Sequence, residues 1–131
     1  MKVSITGGCG YFGSNLANHL SANKYKVKVL TRNKKNKLHN PNILTEEISW
    51  KNEVSILKAL KNSDAIVHMA GMNSINSMKN PSAAIDFREN SIKLILKACR
   101  KYKIPKVIFI SSAHVYGHDM KGFINEKTLR K

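Results

Sequence analysis

The sequence is poor in acidic residues, in cysteine and in long apolar runs. Its 131 residues include 8 Asp and Glu against 23 Lys and Arg, which gives a formal net charge of +15. The 2 cysteines have no metal-ligand spacing, so we expect no metal site and a reduced, cytoplasmic protein. No apolar run reaches the length of a membrane span and no signal-peptide pattern is visible, so we expect no membrane partner.

A glycine cluster separates the first apolar run from the first amphipathic stretch. Gly8, Gly10 and Gly13 fit G-x-G-x-x-G, and Gly7, Gly10 and Gly13 fit the related G-x-x-G-x-x-G. In such turns one glycine lets the chain leave a strand sharply, another admits a pyrophosphate to the backbone, and a third lets the helix lie close to the sheet. The strand-like run before the cluster and the helix-like run after it predict a dinucleotide site. A glycine-rich turn without a ligand is the alternative.

The excess of basic residues raises the question of a nucleic-acid partner. The lysines are spread along the chain with one cluster at residues 32–37, and no aromatic residue is interleaved with that cluster. A solvated basic surface explains this pattern, and a positive field also favours a dinucleotide. We therefore expect that nucleic acid is not the principal partner, and an RNA-binding role is only a third alternative.

Apolar runs alternate with amphipathic stretches along the whole chain. The pattern predicts strands at 2–6, 25–30, 43–48, 64–70 and 106–111, and helices at 12–22, 52–61 and 81–102. The polar segments 32–42 and 71–80 are predicted as loops, and Val54, Leu57 and Leu60 are predicted to face the sheet. This alternation predicts one α/β domain over residues 1–131, with a doubly wound parallel sheet of order 3-2-1-4-5.

Three stretches resemble one family, the extended short-chain dehydrogenases/reductases. They are residues 6–14 (TGGCGYFGS), 64–71 (DAIVHMAG) and 111–117 (SSAHVYG), which follow or end predicted strands 1, 4 and 5. These are the NAD-dependent epimerase/dehydratase proteins, many of which act on nucleotide-sugars. The resemblance implies a Rossmann-type fold, an NAD or NADP cofactor and a nucleotide-sugar substrate in the full-length form.

The resemblance also implies roles for residues of the glycine turn. Gly7, Gly10 and Gly13 would bind the pyrophosphate, with Tyr11 and Phe12 beside it. Each of these residues matches a position of the family's glycine motif, so their roles are what the resemblance implies.

The two later motifs carry the remaining implied site residues. Ala70 and Gly71 would line the cofactor near its ribose and nicotinamide. Ser112 stands where the family has its catalytic Ser or Thr, whose hydroxyl hydrogen-bonds the substrate oxygen; a strand-end cap or turn residue is the alternative. His68 stands where the family has histidine, and we expect a core histidine bonded to the backbone rather than a catalytic one.

Charge at the end of the second strand bears on the choice between NAD and NADP. NAD-binding folds usually hold the ribose with an Asp or Glu there. This chain has Thr31 and Arg32 instead, and Arg32 would pair with a 2′-phosphate, helped by Lys34 or Lys35. We therefore predict a preference for NADP, with a solvated basic loop as the alternative.

The chain departs from the family at its C-terminal end. The family's catalytic base is the tyrosine of Tyr-x-x-x-Lys, and no tyrosine follows Tyr116 before the last residue, Lys131. We therefore expect a fragment that is incomplete before the sixth strand and inactive alone. It would be the cofactor-binding part of an epimerase, dehydratase or reductase of nucleotide-sugars; a non-catalytic dinucleotide-binding or redox-sensing module is the alternative. Residues 107–110 would form an apolar sheet edge, which predicts self-association or a homodimer.

Overall fold

The computed structural model describes residues 1–117 and 122–130. Its strands are β1 (Lys2–Thr6), β2 (Lys26–Thr31), β3 (Ile43–Glu47), β4 (Ala65–His68) and β5 (Lys106–Phe109). Its helices are α1 (Tyr11–Ala22), α2 (Glu53–Leu60), α3 (Ser74–Lys79) and α4 (Pro81–Tyr102). The strands are all parallel and form one sheet in the order β3-β2-β1-β4-β5. The predicted α/β architecture and strand order are therefore confirmed.

Apolar side chains cover both faces of the sheet, because alternate residues of each strand point to opposite sides. On one face, Val3 and Ile5 of β1 pack in a cluster with Ala17 of α1. On the other face, Ile66 of β4 packs in a cluster with residues of α2 and α4, among them Leu60 and Ile95. The helices thus enclose the sheet from two sides and leave its carboxyl edge open.

Asparagine side chains begin three of the four helices. The Oδ1 atoms of Asn52, Asn73 and Asn80 accept backbone N–H groups near the start of α2, α3 and α4, at 3.1, 2.8 and 3.0 Å. Gly10, at the start of α1, has no side chain for such a bond. The first turn of α1 therefore differs from the other three in having no side-chain acceptor at its cap.

The prediction of a loop over residues 71–80 is wrong, because this segment contains α3. The helix starts at the cap that Asn73 supplies. Its larger apolar residues, Ile75 and Met78, are exposed. These two side chains therefore form no buried apolar face, and the cap at Asn73 is the local signal for a helix in this segment.

The prediction that Val54 faces the sheet is also wrong, because its side chain is exposed. The helix begins at Glu53, and its buried stripe starts one turn later with Ile56, Leu57 and Leu60. Other boundaries of helices and strands differ from the prediction by no more than two residues. The predicted loop over 32–42 contains only one short 3₁₀ turn, Lys34–Asn36.

Strand β5 lies at one edge of the sheet and is apolar on both faces. The side chains of Val107, Ile108, Phe109 and Ile110 are between 38% and 47% exposed, as the sequence predicted for this edge. Beyond β5, residues 118–121 and 131 of the polar C-terminal stretch lie outside the described residues. Among the helices that are described, none is long and apolar enough to cross a membrane.

Candidate functional site

The glycine turn between β1 and α1 packs directly against the end of β4. Gly7 has a φ of 74°, and a Cβ on it would lie 2.8 Å from the backbone nitrogen of Ala70. A Cβ on Gly13 would lie 2.6 Å from the Cα of Gly8 and would also contact the carbonyl oxygen of Gly7. Backbone atoms therefore leave no room for a side chain at Gly7 or Gly13.

Gly10 differs from these two glycines because it borders open space. Its φ of −77° and ψ of 172° suit any residue, and an added Cβ would have only the Gly7 oxygen near it, at 3.3 Å. As the cap of α1 it offers no side-chain acceptor to the first N–H groups of the helix. Free N–H groups at a helix start attract anions. The turn is thus open at the one position where a phosphate would approach the backbone.

A cavity of about 610 Å³ opens beside this turn at the carboxyl edge of the sheet. Five of the predicted cofactor residues line it, namely Gly7, Gly10, Arg32, Ala70 and Gly71. They come from three segments, which follow β1, β2 and β4. Because the carboxyl ends of parallel strands meet at one edge, the topology brings these distant residues together at the strand-order reversal.

Three further predicted cofactor residues lie outside the lining of this cavity. Tyr11 and Phe12 are exposed in the first turn of α1, with their ring centroids 5.3 Å apart. Gly13 is buried beneath the turn, where it allows α1 to lie close to the backbone of Gly7 and Gly8. Gly13 therefore supports the shape of the turn, and contact of Tyr11 and Phe12 with a pyrophosphate stays a prediction.

Ser112, the predicted catalytic residue, is exposed just after β5 and does not line the cavity. Its Oγ accepts the backbone N–H of His114 at 3.2 Å and caps the 3₁₀ turn Ala113–Tyr116. This contact is the alternative that the sequence allowed for Ser112. A hydroxyl that caps a turn retains a hydrogen to donate, so the catalytic role stays a prediction beside the capping role.

Arg32 lines the cavity from the end of β2 and is itself exposed. Among residues 1–117 and 122–130, no carboxylate forms an ion pair with it. Asn33 and Asn36 line the cavity beside it, whereas the expected helper Lys35 does not. The polar residues that line the cavity near Arg32 in the sequence are therefore uncharged, namely Thr31, Asn33 and Asn36.

The sequence analysis did not assign two aromatic residues to the site. Trp50 and Phe87 both line the cavity, and their ring centroids lie 5.5 Å apart in an edge-to-face contact. Trp50 comes shortly after β3 and Phe87 belongs to α4. No local motif joins them, and the position of Trp50 after a strand was the only available signal.

His68 ends β4 and is only 2% exposed. Its Nδ1 lies 2.6 Å from Thr6 Oγ1 and its Nε2 lies 3.2 Å from Ser91 Oγ. Burial lowers the pKa of His68 to about 4, so the ring is neutral near pH 7. It is a core histidine as expected, but the expectation of backbone partners was wrong, since its partners are two side-chain hydroxyls.

The model of the NAD dependent epimerase/dehydratase family matches residues 3–131. The chain belongs to this family. It is 31% identical to the dTDP-D-glucose 4,6-dehydratase of Dictyostelium discoideum, over 88% of this chain and 30% of that protein. It is 28% identical to the UDP-glucose 4-epimerase of Lacticaseibacillus casei, over 96% of this chain and 40% of that protein.

Solved structures of UDP-glucose 4-epimerases have the same fold as this epimerase/dehydratase-family chain. The enzyme from Bifidobacterium longum, in complex with NAD+ and UDP, superposes with a TM-score of 0.86 at 24% identity and is covered over 43% of its length. The enzyme from Thermotoga maritima, with UDP-glucose, superposes with a TM-score of 0.84 at 26% identity and is covered over 45%. In both cases the match takes in 100% of this chain, which thus spans less than half the length of these relatives.

The residues at the cavity fit the dinucleotide that the family name implies. Gly10 leaves room for a phosphate at the helix start, and Arg32 supplies a positive charge in the lining of the same cavity. Trp50 and Phe87 add apolar surface to that lining. An anionic ligand with flat aromatic ends matches this combination of an open backbone, a cation and aromatic rings.

Proposed function

We propose that this protein binds NADP or NAD in the 610 Å³ cavity and forms the cofactor-binding part of an enzyme that epimerises, dehydrates or reduces a nucleotide-sugar. The observation that carries the proposal is the meeting of Gly7, Gly10, Ala70 and Gly71 in one cavity at the start of α1. The glycine turn alone is a weak signal. Its position at the strand-order reversal, in a chain of this family, supports the assignment.

The pyrophosphate would lie at Gly10, which lines the cavity at the start of α1 and offers no side-chain acceptor to the first N–H groups of that helix. Ala70 and Gly71 would border the nicotinamide end, since they follow the neighbouring strand β4. A bound nicotinamide supplies hydride exchange with a carbon of the sugar. Ser112 would donate a hydrogen bond to the sugar oxygen when the rest of the enzyme brings the substrate to it.

We further propose that the cofactor is NADP rather than NAD. Arg32 supports this preference because it lines the cavity at the end of β2 and has no carboxylate partner among the described residues. A 2′-phosphate would gain a charge-assisted hydrogen bond there, which a bare ribose hydroxyl cannot match. Thr31 stands at the end of β2, where an acidic residue would repel that phosphate.

Fluorescence titration of the chain with NADPH and with NADH tests both proposals. We expect saturable binding, with a dissociation constant for NADPH that is lower by about tenfold, the effect of one charge-assisted hydrogen bond. Arg32→Gln should remove most of this difference. Lys35→Gln, which deletes a neighbouring charge that does not line the cavity, is the matched control and should keep it. Equal or tighter binding of NADH by the unchanged chain would contradict the NADP preference.

A non-catalytic dinucleotide-binding or redox-sensing module is the second candidate. It is favoured by the position of Ser112, which caps a turn outside the cavity. The coding sequence beyond Lys131 separates the two. A Tyr-x-x-x-Lys motif in the same reading frame supports the enzyme, and a stop codon directly after Lys131 supports the module.

Self-association through β5 is our proposal for a protein partner. A second copy would pair with the edge of this strand, because the three apolar residues 107–109 of β5 and Ile110 directly after it are all exposed. A cytoplasmic location also stays a prediction.

A further inference from the structure

A line of hydrogen bonds joins α4 to the wall of the cavity through the interior of the sheet. Ser91 Oγ donates to the carbonyl oxygen of Arg88 at 3.0 Å and lies 3.2 Å from His68 Nε2. His68 Nδ1 lies 2.6 Å from Thr6 Oγ1, which also accepts the backbone N–H of Ala70 at 3.3 Å. Thr6, His68 and Ser91 are all buried. Water therefore has no direct access to these groups, and each hydrogen needs an acceptor within the protein.

Counting donors and acceptors along this line determines which nitrogen of His68 carries the proton. Ser91 donates its hydroxyl hydrogen to the carbonyl oxygen of Arg88. Its Oγ can therefore only accept in the contact with His68, so the hydrogen between them lies on His68 Nε2. The bare Nδ1 then accepts the hydroxyl hydrogen of Thr6. All four donors have acceptors in this arrangement. With the proton on Nδ1 instead, the hydroxyl hydrogen of Thr6 would be buried without an acceptor among the residues that the structure describes.

The residue at the cavity end of this line is part of the proposed dinucleotide site. Ala70 lines the cavity, and its N–H is held by Thr6 Oγ1. Gly7 follows Thr6 directly and packs so closely on Ala70 that no Cβ fits between them. A shift of the Thr6 side chain would therefore move both the glycine turn and the wall that faces it.

We infer that His68 is held as the neutral Nε2–H tautomer and is a positioning residue, which fixes the Ala70 wall of the cavity through Thr6. This inference rests on the proposed dinucleotide site. Ser91 is a second positioning residue, because its hydroxyl oxygen accepts from Nε2–H and so sets the tautomer of His68. His68 touches no cofactor atom in this scheme and acts only on the backbone that does.

The groups around His68 are neutral on every side that the structure describes. Thr6 comes from β1 and Ser91 from α4, while the rings of Trp50 and Phe109 lie at 5.8 and 5.6 Å between centroids. On α4 the charged residues nearest in sequence to Ser91 are Arg88, Glu89 and Lys93, and all three are exposed. The tautomer is thus set by hydroxyls and not by a charge.

Two measurements on the full chain test the inference. In ¹⁵N-histidine NMR, the ring signals of His68, identified by their loss in His68→Gln, should show the Nε2–H tautomer. Ser91→Ala and Thr6→Val should each raise the dissociation constant of NADPH about tenfold, the usual effect of one hydrogen bond. Thr6→Ser keeps the hydroxyl and should restore affinity. Ser63→Ala removes one of another buried hydroxyl pair, Ser4–Ser63 at 2.7 Å, and should leave affinity unchanged.

Each outcome has a distinct meaning. An Nδ1–H tautomer in the unchanged chain would overturn the assignment whatever the chain binds. Binding of NADPH that is equally tight in Ser91→Ala, Thr6→Val and Ser63→Ala would overturn the positioning role alone. Absence of dinucleotide binding by the unchanged chain would overturn the proposed function and, with it, the role of His68 at that site.

Discussion

Replacement of Gly13 by alanine should destabilise the protein through a backbone collision inside the glycine turn. The added Cβ would lie 2.6 Å from Gly8 Cα and 3.0 Å from the carbonyl carbon of Gly7. Both neighbours are backbone atoms, so no side chain can rotate away, and the turn or α1 has to move. Overpacking of this kind costs about 3 kcal/mol. For a chain of this size, that loss corresponds to a decrease in melting temperature of about 10 °C.

Gly10→Ala is the matched comparison because it adds the same methyl group three residues away. The backbone at Gly10 suits alanine, and only the Gly7 oxygen, at 3.3 Å, lies near the added Cβ. We expect a change in stability within about 1 kcal/mol, because a slightly worse helix cap offsets the gain in chain entropy. Dinucleotide affinity should still fall about tenfold or more, since the methyl group enters the space where a phosphate approaches the backbone.

Thermal unfolding and NADPH titration of both variants separate the two roles of glycine. Gly13→Ala should lower the melting temperature, and Gly10→Ala should lower affinity at nearly unchanged melting temperature. Gly71→Ala is the control for stability, because an added Cβ there has no atom within 4 Å. The reasoning would be refuted if Gly13→Ala melted like the unchanged chain, or if Gly10→Ala bound NADPH as tightly as before.

Two further predictions concern His68 and the sheet edge. Because burial lowers the pKa of His68 from 6.5 to about 4, the unfolded chain binds a proton over this range that the folded chain does not. The free energy of unfolding should therefore fall as the pH decreases from 6.5 to 4, by at most about 3 kcal/mol. Urea unfolding compared with His68→Gln measures this, and parallel pH profiles would contradict it. Light scattering at high concentration should detect assemblies of the unchanged chain, and Ile108→Lys should disrupt them. Leu44→Lys changes an exposed apolar residue on the opposite edge strand and should leave the assemblies intact. A monodisperse monomer of the unchanged chain would count against pairing through β5.

The fold was predictable because local patterns and topology agree along most of the chain. The apolar run Ala65–His68 is buried throughout, as a central parallel strand requires. The helix predicted over residues 81–102 forms α4, and its residues Ser91, Ile95 and Ala98, which are three or four positions apart, are buried. The strand order followed from the position of the glycine turn after the first strand, since a dinucleotide fold reverses its order there.

The candidate site was only partly predictable, because motifs report on backbone shape better than on side-chain neighbours. Gly10 and Ala70 belong to motifs and were placed in the cavity that they line. Trp50 has no motif, and it reaches the cavity because the loop after β3 turns towards α4, where Asn90 Nδ2 donates to its carbonyl oxygen at 3.2 Å. Helix α3 was missed because its apolar side chains face solvent, which removes the periodic signal on which the prediction depended.

The even-numbered residues of β1 break the pattern of an apolar core, and their partners explain why. Ser4 and Thr6 point to the same face as Ile66, yet both carry hydroxyls in the interior. Nearer the amino end of the strand, Ser4 Oγ forms a hydrogen bond with Ser63 Oγ, and this pair does not continue to a residue of the cavity wall. At the carboxyl end, Thr6 continues to His68 and to the backbone of Ala70 at the cavity. Proteins that depart from local rules tend to do so at functional sites. Only the second of these two buried hydroxyls leads to a wall of the cavity, so a loss of ligand affinity is expected for changes at Thr6 and a loss of stability alone for changes at Ser4.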